Sequence, residues 1–322
     1  MAKLSRRNHY LPQFYLKGFA DEGGAFWLFD RERKEYRLQK PINTGVEKDF
    51  YQVTRPDGEK TDEVEKMLSA VEGTCKQIID RVDNRVVRWD GEDRPTFALF
   101  AALMRTRVPV FDQEQNDFLE KFYRWWAKAK NPTVESVREG FLEFEAATGE
   151  GMLGVSPEDV FQMIRDDSYA LEKPRQNNIK MMLNLALQIA PVLLGMDWMI
   201  LYAPKGSAFV TCDNPFAVAP PTDHDDTYTG YGISTPGATT MLPLSSKTAI
   251  VFKGTDGRVA GGECGRDFVE HVNWFVTANS DKFAIARDKA LLERMVRSTA
   301  ADEFQPKRGI RFNAPDPYAP SI

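Results

Sequence analysis

Between residues 61 and 195 the apolar side chains recur at steps of three and four, whereas before residue 55 and after Trp198 they come in short runs cut by turn residues. The first spacing belongs to helices and the second to strands, so strand-forming segments flank a helical middle. A sheet assembled from both ends of the chain, with helices packed beside it, buries both patterns most economically. The expected fold is α+β: a mixed or antiparallel sheet built from N- and C-terminal strands, with a large helical lobe from the middle. On this reading residues 1–322 form one large domain, subdivided into a sheet-containing part (1–55 and 196–290), a helical lobe (56–195) and a tail (299–322). With 42% hydrophobic and 11% aromatic residues, a chain of 322 can bury a core of that size.

Local signals fill in the outline. Ala25–Phe29 and Tyr36–Leu38 read as a hairpin around the charged stretch 30–35, and Phe50–Val53 as a third strand. Thr61 is placed to cap a helix running to about Arg85, with Val64, Leu68, Val71, Cys75, Ile78 and Val82 on one stripe. Arg94-Pro95 opens the next helix, proline suiting a first helical position, and residues 97–104 are apolar without interruption, so this helix has no wet face. Further helices are expected over 112–130, 133–147, 157–171 (capped by Ser156), 174–195, 266–278 and 289–298, and strands over 198–202, 208–212, 239–244, 248–252 and 283–286.

Composition narrows the setting. The net charge of -5 gives no global basic field that would advertise nucleic-acid binding. Cys75, Cys212 and Cys264 are odd in number and form no CxxC pair, which reads as reduced thiols. No apolar run follows the charges at Lys3, Arg6 and Arg7, and the tract 181–194 is interrupted by Asn184, Gln188 and Pro191 and falls short of the ~20 residues of a span. A cytoplasmic chain without a membrane partner is the expectation.

Chemistry-bearing residues cluster in a few stretches. "RRNHYLPQFYLKGF" (6–19) places Arg6, His9 and Gln13 around Pro12, a natural helix start, where exposed backbone N–H groups favour anions; His9 is also the type of side chain that exchanges a proton near neutral pH. In "LMRTRVP" an arginine on a rigid apolar helix suits a bidentate grip on phosphate, and Arg105 is preferred to Arg107. "FVTCDNPF" delivers Asp213 and Asn214 at the end of an apolar strand, where a carboxylate is held for metal, water or hydroxyl contact, or simply makes a turn before proline. In "VEHVNWF", His271 and Asn273 are two apart on a helix and so on different faces; Asn273 is the candidate. Asn177, Asn184 and Gln188 share a helical face, either packed as a network or lining a cleft. His224, among Asp223, Asp225 and Asp226, reads as a solvated acidic loop rather than a metal cluster. No glycine-rich nucleotide loop, HExxH or GxSxG is present in the sequence.

In their order, "NHYLPQFYLKGF", "FWLFDR", "EKDFY", the arginine of "ALMRTRVP", "FVTCDNPF", "TMLPLSS" and "HVNWFVTANSDKFAIA" resemble an uncharacterised family, the domain of unknown function 4238. The resemblance covers roughly residues 8 to 286 and marks His9, Pro12, Gln13, Arg105, Asp213, Asn214, Pro215 and Asn273. It implies no activity.

Two function classes fit these residues. In the first, the chain is a hydrolase or nuclease acting on a nucleotide or nucleic-acid phosphate: His9 is the acid or base, Arg105 with Arg6, Gln13, Asn214 and Asn273 holds the substrate, and Asp213 orients His9 or binds a divalent metal such as Mg2+. In the second, the same residues form a buried structural network in a non-catalytic binding protein, a receptor for a phosphorylated ligand or a partner protein.

Overall fold

A computed structural model describes residues 6–54, 58–86, 88–151, 154–171, 175–222, 231–301 and 317–318. The chain divides into two compact units, one of residues 1–112 and 175–308, the other of residues 113–174 and 309–322.

The first unit opens with β1 (Arg7–His9), the short helix α1 (Gln13–Lys17) and the hairpin β2 (Phe26–Asp30) and β3 (Glu35–Gln39). β4 (Val46–Lys48), β5 (Val53–Thr54) and β6 (Lys60–Thr61) precede α2 (Glu63–Asp83) and α3 (Asp93–Thr106), after which α4 (Pro109–Lys130) leads into the second unit. The chain returns through α7 (Arg175–Gly195) to β7 (Asp197–Tyr202), β8 (Thr211–Cys212), β9 (Ala217–Ala219), β10 (Thr239–Pro243), β11 (Thr248–Lys253), β12 (Val259–Glu263), α8 (Arg266–Ala278), β13 (Phe283–Ala286) and α9 (Lys289–Ala301). α5 (Val134–Thr148) and α6 (Pro157–Arg165) belong to the second unit.

Two sheets carry the first unit. One runs β12-β7-β11-β10-β9 and is antiparallel except where β12 lies parallel to β7. The other runs β3-β2-β13-β8 and is antiparallel throughout, so N-terminal strands pair with C-terminal ones, as the flanking strand patterns predict. The α+β class is therefore realised.

Alternation along the strands explains the layers. Successive strand side chains point to opposite faces, and Leu242, Ile250, Phe252 and Ile285 join one core while Met241, Ala249, Val251, Ala284 and Ala286 join another. α2, α3 and α7 supply Ile78, Phe97, Phe100 and Met182 to the first core; α8 and α9 supply Val272, Val276, Leu292 and Met295 to the second. Strands covered on both faces read as unbroken apolar runs, which is why β11 buries five consecutive residues.

Several local expectations change. His9 closes a strand paired with Val46 rather than heading a helix, and α1 starts only at Gln13. The strand expected over 50–53 is replaced by β4 and β5 on either side of a turn, and β9 and the glycine-bearing edge strand β12 were not expected at all. α6 ends at Arg165, well before 171. α2, α3 and α7 belong to the same compact unit as the sheets. In α7, Asn184 and Gln188 are exposed and Ile179, Met182, Ala186 and Leu193 are buried, so the amides are its wet face. α7 is 21 residues long and contains an 18-residue window with a mean hydropathy of 1.3, so it is long and apolar enough to cross a membrane by length and composition, beyond the span read from 181–194.

The second unit is helical among its described residues. Thr133 and Ser136 form a reciprocal capping box at the start of α5, Gly149 ends it with φ 73°, and Ser156 caps α6.

Candidate functional site

The N-terminal stretch is fastened by a buried arginine. Arg107, 1% exposed, follows the last turn of α3 and spends its fork on three acceptors: Nε donates to the Tyr10 carbonyl at 2.7 Å, Nη2 to the His9 carbonyl at 3.0 Å and Nη1 to Glu72 Oε1 at 2.8 Å. A buried guanidinium is tolerable only when charge and donors are both met, and here they are. Asn8 adds a second tie, its amide donating to Glu65 at 3.0 Å and its carbonyl accepting from the Tyr51 N–H at 3.4 Å. Gly45 permits the crossing: it has φ +66° and its carbonyl accepts from Tyr10 N at 2.8 Å, while a Cβ there would sit 2.9 Å from Leu11 Cβ.

His9 itself is half-buried. Burial pushes its pKa below the ordinary histidine value, opposed by a hydrogen bond with the Ile42 carbonyl, so the ring is neutral at pH 7. Its Nε2 is buried without a hydrogen-bond partner among the described residues. The charges it feels are those of Arg7, Glu72 and Arg107.

Asp213 closes β8 at 3% exposure. Its Oδ1 accepts from Asp281 N at 2.9 Å and Oδ2 from Lys282 N at 2.6 Å, while its own N–H donates to the Phe283 carbonyl at 3.1 Å. Burial pushes its pKa up to about 6, against the opposing pull of those backbone N–H groups and with help from the charge of Asp281. The carboxylate thus clamps the turn that leads into β13. Asn214 and Asn279 make a reciprocal pair, Asn214 Nδ2 donating to the Asn279 carbonyl at 3.3 Å and Asn279 Nδ2 to the Asn214 carbonyl at 2.7 Å; Asn214 Oδ1 is buried with no partner among the described residues. Asn273, fully buried in α8, offers its amide as a mock strand: Oδ1 accepts from Val210 N and Nδ2 donates to the Ala208 carbonyl, both at 2.9 Å. The extended stretch before β8 needs this because its backbone has no full strand neighbour there.

The chain's beginning and the Asp213 turn do meet, through different side chains from those expected. Tyr15 of α1 shares a 2.6 Å hydrogen bond with Thr211, Lys282 pairs with Glu47 of β4 at 3.2 Å, and burial and the nearby Asp213 charge raise the Tyr10 phenol above its ordinary value. The charges near His9 are those of Arg7, Glu72 and Arg107, whereas those near Tyr10 are Asp213, Glu47 and Asp281, so Tyr10 takes the Asp213 side. Arg105 is half-buried with its guanidinium 5.1 Å from the Phe111 ring centre. Arg6 pairs with Asp49 at 3.2 Å, its side chain 63% exposed, and Gln13 is half-buried at the first position of the five-residue α1, which Pro12 precedes without a side-chain cap.

Sequence reasoning missed Arg107, Tyr10, Glu72 and Asn279. Arg107 and Arg105 have the same local context, and only the acceptors folded against α3 distinguish them. Asn279 had a signal, lying in a polar turn next to the Asp281-Lys282 backbone that Asp213 holds. Among the described residues no three of His, Cys, Asp and Glu are grouped to hold a metal ion; His224 and its aspartates lie outside the described residues.

No curated protein and no solved structure matches the chain. The family model described as "Protein of unknown function (DUF4238)" matches residues 7–290, a stretch that contains the Arg107 fork, the Asp213 clamp and both amide bridges. By that match over most of its length, the chain belongs to the DUF4238 family.

Proposed function

We propose that this chain is a non-catalytic binding protein in which His9, Arg107, Asp213, Asn214 and Asn273 form the frame, not the site of a reaction. One observation carries the reading: both carboxylate oxygens of Asp213 accept backbone N–H groups of the Asp281-Lys282 turn while the residue is 3% exposed. A metal ligand or an orienting carboxylate needs a free lone pair directed at its partner, and here the best-directed ones face the turn. Arg107 is likewise spent on two carbonyls and Glu72, leaving it no fork for a phosphate.

The hydrolase or nuclease reading keeps one supporting observation, the neutral His9 ring with its unpartnered Nε2. In that reading His9 removes a proton from water and a divalent metal such as Mg2+ is recruited with the nucleotide or nucleic acid. Incubation of the full chain with labelled RNA, DNA and nucleotides, with and without Mg2+, separates the two. The binding reading expects no product that distinguishes the parent from His9→Ala or Asp213→Ala; turnover abolished by His9→Ala at unchanged melting temperature would overturn it.

A further inference from the structure

Where α8 and α9 begin, the first unit holds a cavity of about 370 Å³ that the frame does not use. That volume falls in the range of small-molecule sites. Val269 and Leu291 give it an apolar wall, and its charged lining comes from Arg266 and Glu270 of α8, Arg294 of α9 and Asp288 just before α9. Glu270 and Arg294 neutralise each other across the two helices. Arg266 and Asp288 are different: both are exposed, and neither forms an ion pair with the other or with any described residue.

Each of these two side chains is nonetheless held in place. The turn 204–207 is closed by the Ser207 N–H donating to the Pro204 carbonyl at 2.9 Å, and Gly206 has φ +81°, which the third position of such a turn favours. The Lys205 carbonyl in that turn accepts from Arg266 Nη2 at 3.2 Å, which steadies the guanidinium and leaves its other N–H groups to donate. Asp288 caps α9 through Oδ1, which accepts from Leu291 N at 2.9 Å, so Oδ2 keeps its lone pairs. Charge then selects the ligand. A lone cation would leave Arg266 unmatched, and a phosphate or other lone anion would face Asp288. A molecule that carries both charges answers both, with its apolar part on Val269 and Leu291.

We infer that this cavity binds a small zwitterion of the α-amino-acid class with an apolar side chain, its carboxylate on Arg266 and its ammonium on Asp288. The inference rests on the binding reading above and gives it a ligand class.

The test titrates the full chain by calorimetry with L-leucine, with leucine amide, which lacks the carboxylate, and with N-acetyl-leucine, which lacks the ammonium. Saturable leucine binding is expected, with each control weaker by about 5-fold. Arg266→Gln is expected to weaken leucine by about 5-fold and to leave leucine amide unchanged. Asp288→Asn, which keeps the helix cap, is expected to weaken leucine by about the same factor and to leave N-acetyl-leucine unchanged. Both positions are exposed, and either variant decides the matter if the other does not fold. No saturable leucine binding, a control as tight as leucine, indifference of leucine to the substitutions, or equal losses for leucine and the matching control would overturn the inference. His9-dependent hydrolysis would instead defeat the binding reading and leaves the leucine comparison a separate result.

Discussion

The two units hold their polar groups in opposite ways. In the first, Arg107, Asp213 and Asn273 are buried and satisfied largely by backbone N–H and C=O groups brought from distant parts of the chain. In the second, α5 buries only Val137 among its described residues and α6 none, and the charges of these two helices pair at the surface, Arg138 with Glu135 and Glu158. Losing a surface partner lets water take its place, whereas losing a buried one strands a group where water cannot follow. The comparison teaches that the residues the family match contains need not be reactive to be irreplaceable. A buried polar clamp constrains its residue types as tightly as a catalytic group would.

Three measurements would break or sharpen this contrast. Arg107→Ala is expected to have the largest effect, because it leaves Glu72 and two buried carbonyls without a donor; a loss of about 3–5 kcal/mol in denaturant unfolding is expected, and a loss near zero would mean that water reaches the fork.

Asp213 comes next, through pH. Its folded pKa of about 6 lies above the roughly 3.9 of an unfolded aspartate. The folded state therefore holds the proton longer, so the associated stability is complete below about pH 4 and disappears as the pH rises through 6. The stability of the parent relative to Asp213→Asn is expected to fall by roughly 3 kcal/mol between pH 4 and 7. His9 acts in the opposite sense, its lowered pKa costing stability as the pH drops below the ordinary histidine range, and it cancels in this difference because both proteins carry it. A flat difference curve would show an Asp213 carboxylate with an ordinary pKa.

The smallest effect belongs to the second unit. Thr133→Ala removes the side-chain acceptor of the Ser136 N–H and is expected to cost about 1 kcal/mol, visible as faster amide exchange over 134–148 with β10 and β11 unchanged. Equal loosening of both regions would erase the distinction drawn between the units.

Much of this architecture was legible beforehand, and the reasons are local. The apolar run 26–29, Tyr36-Arg37-Leu38 and the charged turn between them specify the β2–β3 hairpin, the proline and the apolar octet specify α3, and the periodicity from 266 to 278 matches α8 end to end. β12 was hidden because its Gly261-Gly262 pair carries no strand signal; it is held by its neighbour β7 rather than by its own propensity. β1 was hidden for a similar reason, since three residues pair with β4 only because Arg107 and Gly45 bring the segment there.

The candidate site was half legible. The sequence by itself determined that strands from both ends must share a sheet, that helices must cover it, and that Asp213 must sit at the rim of an apolar strand, because periodicity and chain order are properties of neighbours along the chain. Only the tertiary structure decided that Arg107 rather than Arg105 is the buried anchor, that Tyr10 rather than His9 takes the Asp213 side, and that Asp213 and Asn273 spend their polar atoms on backbone. Side-chain direction and hydrogen-bond partnership are settled by which distant acceptor arrives within 3 Å, and no local pattern of residues encodes that arrival.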